Sequence, residues 1–224
     1  MDEDGGGDAA PAGDLSGTMR QPFRPYLQTS QFTCGPASLM NAAAALGCGV
    51  PLSVETEYSL WRRGNSVWMG GGHPGIEPEG LALAAAEIGL KVRLCQHHGV
   101  GRLFDRWNRN PERRRIATAM RELDRRALAS ICWTEPSLDM DGMRNTVCAG
   151  GKLVVLVRLQ GALHWVSVLG GNRTSAVVHD PYLTGSLADM EAGKDAVEEP
   201  WHDLHERACL DRQGAAATLV LTAA

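Results

Sequence analysis

The sequence has no surplus of positive charge. Its net charge is −4, and outside "RNPERRR" the Lys and Arg residues are dispersed among acids. A surface that tracks phosphates needs clustered cations, so no nucleic-acid partner is expected. The opening "MDEDGGGDAAPAGDLSGT" lacks both the basic and the apolar parts of a signal peptide and is far too polar to span a bilayer. No membrane partner is expected, and residues 1–19 read as an acidic, Gly-rich disordered tail ahead of a single domain over 20–224. The six cysteines, at 34, 48, 95, 132, 148 and 209, form no C-x-x-C pair and no small-secreted-domain spacing, which argues against a disulfide framework or a zinc knuckle. A reducing, cytoplasmic setting fits them. "GGGHPG" at 70–75 lacks the G-x-x-x-x-G-K-[ST] lysine of a phosphate cradle, and Glu77 and Glu79 stand where an anion would approach the next helix. There are no internal repeats.

With 44% hydrophobic and 21% charged residues over 224 positions, the chain can bury an ordinary globular core. Helical signals come first: a helix in "VETEYSLWRR", a second from about Glu77 to Ile88 closed by Gly89, and a strand from Lys91. "NPERRRIATAMRELDRRALAS" spaces Ile116, Met120, Leu123 and Leu128 as an inward stripe, leaving its charges as a solvated face. "SLDMDGMRNTVCAGG" reads as a capped helix leading into the strands "KLVVLVRL", "LHWVSVLG", "TSAVVHD" and "AATLVLTA". Helices followed by strands predict an α+β fold rather than a doubly wound sheet.

In "QTSQFTCGPASLMNAAAALG", Ala37, Leu39, Met40, Ala43, Ala44 and Leu46 follow the spacing of a buried amphipathic helix. Thr33 is placed to cap it and Gly47 to end it. Pro36 is tolerated only in the first turn, so Cys34 must stand at the N-terminus. The unpaired N–H groups there carry roughly half a positive charge, which favours a thiolate over a thiol. A cysteine nucleophile also needs a histidine, a group to orient that histidine, and donors for an oxyanion. Two apolar strands joined at "GNR" select the partners. A loop at 171–173 would pair 170 with 174, 168 with 176, and His164 with Asp180, close enough for a carboxylate to hold an imidazole N–H.

"Q-T-S-Q-F-T-C-G-P-A", a distant "H-W-V" and "H-D-P-Y" together resemble the papain-like cysteine peptidases of the bacteriocin-leader (double-glycine) peptidase type. "L-W-R" at 60–62 and "M-G-G-G-H-P-G-I-E-P-E-G-L-A-L-A-A-A" at 69–86 are similar to a stand-alone bacterial branch of that group, although Ile76 stands near where the branch often carries a cysteine. The resemblance implies a papain-like α+β fold, with an N-terminal helix carrying the nucleophile packed on an antiparallel sheet carrying His and Asp. It implies Cys34 as nucleophile, His164 as acid and base, Asp180 as orienter, and Gln28 with the Cys34 N–H as oxyanion hole. The exporter-type relatives carry membrane and ATPase domains that this chain lacks.

The activity expected is a cysteine-dependent amide-bond hydrolase, a peptidase or amidohydrolase. Its substrate would be a peptide or a small amide or thioester, free or carrier-bound. Transfer of the same acyl group to an amine is the nearest alternative, and a non-catalytic peptide-binding module the next. Trp68, Gly72, His73 and Trp165 are candidate walls of a substrate cleft. No cofactor and no metal is expected: His202, His205 and Cys209 have usable spacing but no fourth ligand nearby in sequence.

Overall fold

In the computed structural model, which describes residues 24–65, 74–97, 100, 110–182, 196–211 and 214–224, the helical half of the chain precedes most of the sheet. The expected tail at 1–19 lies outside the described residues. α1 (Cys34–Ala45) ends as its sequence implies, because Gly47 takes a φ of +76°, a left-handed conformation open to glycine. Thr33 holds the N-cap position but does not cap with its side chain. Its ψ of 20° is not the extended backbone of a capping residue, and its hydroxyl instead bonds Ser30. α2 (Val54–Gly64) is capped by the Ser53 hydroxyl, and α3 (Pro78–Glu87) carries proline in its first turn. These two helices meet at Gly64 and Gly80, where a Cβ on Gly80 would fall 1.9 Å from the Gly64 carbonyl oxygen. Only glycine permits that crossing.

The strands are β1 (Lys91–Gln96), β2 (Trp133–Glu135), β3 (Lys152–Leu159), β4 (Ala162–Gly171), β5 (Ser175–His179), β6 (Val197–Pro200) and β9 (Ala217–Thr222), in the order β2-β1-β9-β3-β4-β5-β6. Every pair is antiparallel except β1 with β2. β7 (Cys209–Asp211) and β8 (Gly214–Ala215) form a separate two-stranded ribbon. Among the described residues the α+β architecture also includes α4 (Pro111–Leu128), α5 (Met140–Cys148), capped by Asp139, and α6 (Trp201–Ala208). Side chains alternate across the sheet with period two. Val154 and Leu156 join the core beneath α1–α3, while Leu153, Val155 and Val157 pack with Met143, Val147 and Leu204 from α5 and α6.

Two expectations need correction. α4 turns only the end of the expected stripe inward: Leu128 is buried as expected, but Ile116, Met120 and Leu123 are 37%, 36% and 57% exposed, and Ala117 and Arg121 are buried instead. The carboxylates at the start of α3 decide this. Glu77 and Glu79 are buried, and Arg121 and Arg125 reach them at 3.2 and 3.1 Å, so part of the supposed solvated charge run is paired inside the protein. Leaving either carboxylate buried without a partner would cost more than exposing three apolar side chains that retain part of their contacts.

The β4–β5 hairpin is also displaced from the expected register. Val168 pairs with Val178 and Ser167 with His179, so the register continued by one step sets Asp180 opposite Val166 rather than His164. The Asn172 side-chain oxygen accepts the N–H groups of Thr174 and Ser175, which moves the turn along the chain, and a bulge lies between Val168 and Gly170.

Candidate active site

Cys34 is the first residue of α1 and 7% exposed, and its own N–H has no intrahelical acceptor. The start of α1 lies tight against β4. A Cβ on Gly35 would stand 3.2 Å from Trp165 Cδ1, and the Ser38 hydroxyl donates to the Trp165 carbonyl at 3.0 Å. This contact brings Cys34 to the residue before Trp165 in the chain.

That residue, His164, is set between both expected partners. Its Nε2 is 2.6 Å from Asp180 Oδ1, and Cys34 lies near enough to the ring to favour its protonated form. Since Nε2 is taken by the carboxylate, Nδ1 is the nitrogen left for the thiol. Burial favours the neutral ring, but the influence of Asp180 and Cys34 outweighs it and pushes His164 up to about 9. For Asp180, burial alone would raise the carboxyl. The bond to His164, the charge of that ring and the Tyr182 N–H together hold it below the usual carboxylate value.

Asp180 reaches His164 diagonally, from just beyond β5, and two contacts fix it there. Its Oδ1 accepts the Tyr182 N–H at 2.8 Å, and the Pro181 carbonyl accepts the Gln28 N–H at 2.9 Å. The Tyr182 ring stands edge-on to His164, with centroids 6.2 Å apart at 83°. Gln28 is thereby tied to the loop that holds Asp180. Its Nε2 donates one hydrogen to the Ser30 carbonyl at 2.7 Å, which fixes the amide orientation and leaves the second N–H for another acceptor.

Sequence reasoning passed over the residues that hold this arrangement. Glu57 on α2 is fully buried; it accepts the Thr29 N–H at 2.8 Å, the Thr29 hydroxyl at 2.6 Å and the Tyr26 hydroxyl at 2.9 Å. Burial and that carboxylate both raise the Tyr26 phenol pKa. Asn41 on α1 contacts Tyr26 and His179. The only signal in the sequence was a polar residue at 41 within an Ala-rich helix and an acid at 57 on an otherwise ordinary one.

Trp68, Gly72 and His73 lie outside the described residues. At Pro74, Trp61 Nε1 and Asn65 Nδ2 donate to the backbone carbonyl at 2.8 and 2.7 Å. Trp165 is 2% exposed and its indole N–H donates to the Ile76 carbonyl at 3.0 Å, so it supports the site from within and presents no cleft surface. All six cysteines are free. Cys209 Sγ lies 3.6 and 3.7 Å from the two ring nitrogens of His205, and among the described residues no group of three or more ligating side chains could hold a metal. Among those residues, too, no helix is long and apolar enough to cross a membrane.

A helix that begins at a cysteine and packs on an antiparallel sheet bearing its histidine defines a papain-like cysteine peptidase fold. The chain belongs to the Peptidase_C39 like family, which it matches over residues 23–222. No protein of curated function matches the sequence. Among solved structures it is similar to the peptidase domain of Streptococcus ComA, a bi-functional ABC transporter involved in a quorum-sensing pathway, at 12% identity and a TM-score of 0.44, over 89% of this chain and 97% of that one. It is also similar to a double glycine motif protease from an AMS/PCAT transporter, solved with its leader peptide, at 15% identity and a TM-score of 0.45, over 93% and 96% of the two chains.

Proposed function

We propose that this protein cleaves an amide bond, in a peptide substrate, through a thioester on Cys34. The observation that carries the reading is the 2.6 Å bond between His164 and Asp180, with Cys34 held at the start of α1 against the strand that bears His164. In this reading the Cys34 thiolate attacks the carbonyl carbon while His164, charged at neutral pH, waits as the acid. As the tetrahedral intermediate collapses, the His164 proton passes to the leaving amine and the C–N bond breaks. The neutral ring then takes a proton from water, which attacks the thioester and releases the acid, with Cys34 restored. Asp180 holds the ring orientation and offsets the imidazolium charge.

The oxyanion that forms twice in this cycle needs donors, and the Cys34 N–H together with the second N–H of Gln28 Nε2 are assigned to it. Gln28→Ala is expected to slow kcat/KM about 100-fold with little change in melting temperature, the loss found when one of several oxyanion donors is removed. A loss below about tenfold would take Gln28 out of the site.

Whether water or an amine receives the acyl group is tested by partitioning. With a peptide or thioester donor, product is measured against the concentration of added amine. A hydrolase diverts acyl groups only in proportion to the amine's nucleophilicity, without saturation. Saturable amide formation over slow hydrolysis would reveal a bound amine with a high effective concentration, and would replace hydrolysis with transfer.

A further inference from the structure

Asn41 lies two turns beyond Cys34 on α1 and is fully buried. Its Oδ1 accepts the Tyr26 N–H at 2.6 Å, and its Nδ2 donates to the Tyr26 carbonyl at 2.9 Å. Because a backbone N–H can only donate and a carbonyl can only accept, this pair of bonds settles which end of the amide is oxygen. The second Nδ2 hydrogen faces His179 Nδ1 at 3.1 Å. Nδ1 must therefore be the acceptor, so His179 is neutral with its proton on Nε2. One acceptor and both donors of the Asn41 amide are thus in use, each on a different group.

Those groups belong to the two segments that carry the rest of the site. Tyr26 is two residues before Gln28, and His179 immediately precedes Asp180. The segments are joined to each other by the Gln28 N–H bond to the Pro181 carbonyl, while Asn41 joins both of them to the helix of Cys34. We propose that Asn41 is a positioning residue that sets Gln28 and Asp180 in place relative to Cys34, acting through Tyr26 and His179. The inference rests on the reading of Cys34 as the nucleophile. Aspartate in this position would still accept from the Tyr26 N–H but would turn a second acceptor toward the Tyr26 carbonyl and His179 Nδ1. The amide is the one side chain of that size that satisfies all three.

The test needs no substrate. Alkylation of the full chain by iodoacetamide is followed across pH, with each cysteine mapped by peptide mass and Cys148, which is exposed, as the ordinary thiol. In the wild-type protein Cys34 is expected to label faster than Cys148 near pH 6, because it stands at the N-terminus of α1 beside the charged His164. Asn41→Asp is expected to slow Cys34 about tenfold or more near pH 6 and to make its rate climb with pH as an ordinary thiol does, since Asp180 no longer holds His164 in place. A purely structural role would lower the melting temperature and leave that profile as it was. If Asn41→Asp does not fold, His179→Leu removes the Nδ1 acceptor that Asn41 meets beside Asp180 and is expected to alter the profile in the same direction. His179→Asn places an amide oxygen where Nδ1 stood, and is expected to restore it. A reactive wild-type Cys34 with unchanged profiles in Asn41→Asp or, failing that variant, in His179→Leu would overturn the inference alone. A wild-type Cys34 no faster than Cys148 would overturn the nucleophile assignment and the inference with it.

Discussion

Cys34→Ala is expected to abolish turnover, a loss on the order of 10⁶-fold, while the protein still folds and melts as before. Alanine is the best helix former, and the first residue of α1 needs nothing that a thiol supplies to the helix. The sulfur lies 7% exposed against His164, so its removal leaves a void of one atom at the rim of the core rather than a cavity inside it. What disappears is the atom that the proposed mechanism makes the nucleophile. Intact mass measured during turnover checks the same point. The wild-type protein should gain the acyl mass on Cys34, and the variant should gain none. The two buried thiols are poor substitutes: burial pushes Cys95 up to about 11 and raises Cys132, so both stay protonated at neutral pH. Turnover by Cys34→Ala within tenfold of wild type would end the thioester mechanism.

Asp180→Asn is expected to cost on the order of 10³-fold in kcat, below the roughly 10⁴-fold seen where an amide presents the wrong atom to a catalytic histidine. The smaller loss follows from a second bond to the same oxygen. Asp180 Oδ1 accepts the Tyr182 N–H as well as the His164 N–H, so an asparagine at 180 is held with its oxygen in the same place and keeps the ring tautomer. The variant therefore removes charge and spares geometry. His164 is raised to about 9 against its burial by the influence of Asp180 and Cys34, and the proton that the proposed mechanism passes to the leaving amine is present only below that value. The wild-type rate of amide cleavage should accordingly fall as pH rises through about 9. Without the carboxylate, burial works against a weaker counter-charge, and the alkaline fall should move to lower pH in Asp180→Asn. An unmoved alkaline limb would show that His164 owes its charge to Cys34 alone.

Much of the site was legible because it is encoded in short range. Pro36 in the first turn and the apolar spacing from Ala37 to Leu46 are enough to place Cys34 at a helix N-terminus, since both act within two turns of the same helix. The pairing of His164 with Asp180 was also within reach, but for a reason that proved incomplete. The turn at Asn172 and the bulge between Val168 and Gly170 shift the register, and contact is made diagonally from a residue beyond the strand, held by Tyr182 and by Gln28. Turn position and bulging depend on a competition among side-chain acceptors that residue spacing does not express.

The sequence by itself determined that α1 starts at Cys34, roughly where α2, α3, α5 and the strands β1, β3, β4, β5 and β9 lie, the residues available at 28, 34, 164 and 180, and an α+β order of elements, because periodicity and Gly and Pro act on their own neighbourhood. β2, β6, β7 and β8 came only with the tertiary structure. Only the tertiary structure decided which face of α4 is buried, and it did so by the charge of Glu77 and Glu79 meeting Arg121 and Arg125. It alone decided, too, that Asn41 would meet His179 across 138 positions and that Glu57 would grip Tyr26 across 31. A buried polar group must find its partner somewhere, and where that partner comes from is fixed by how the whole chain packs, not by anything within reach along the sequence.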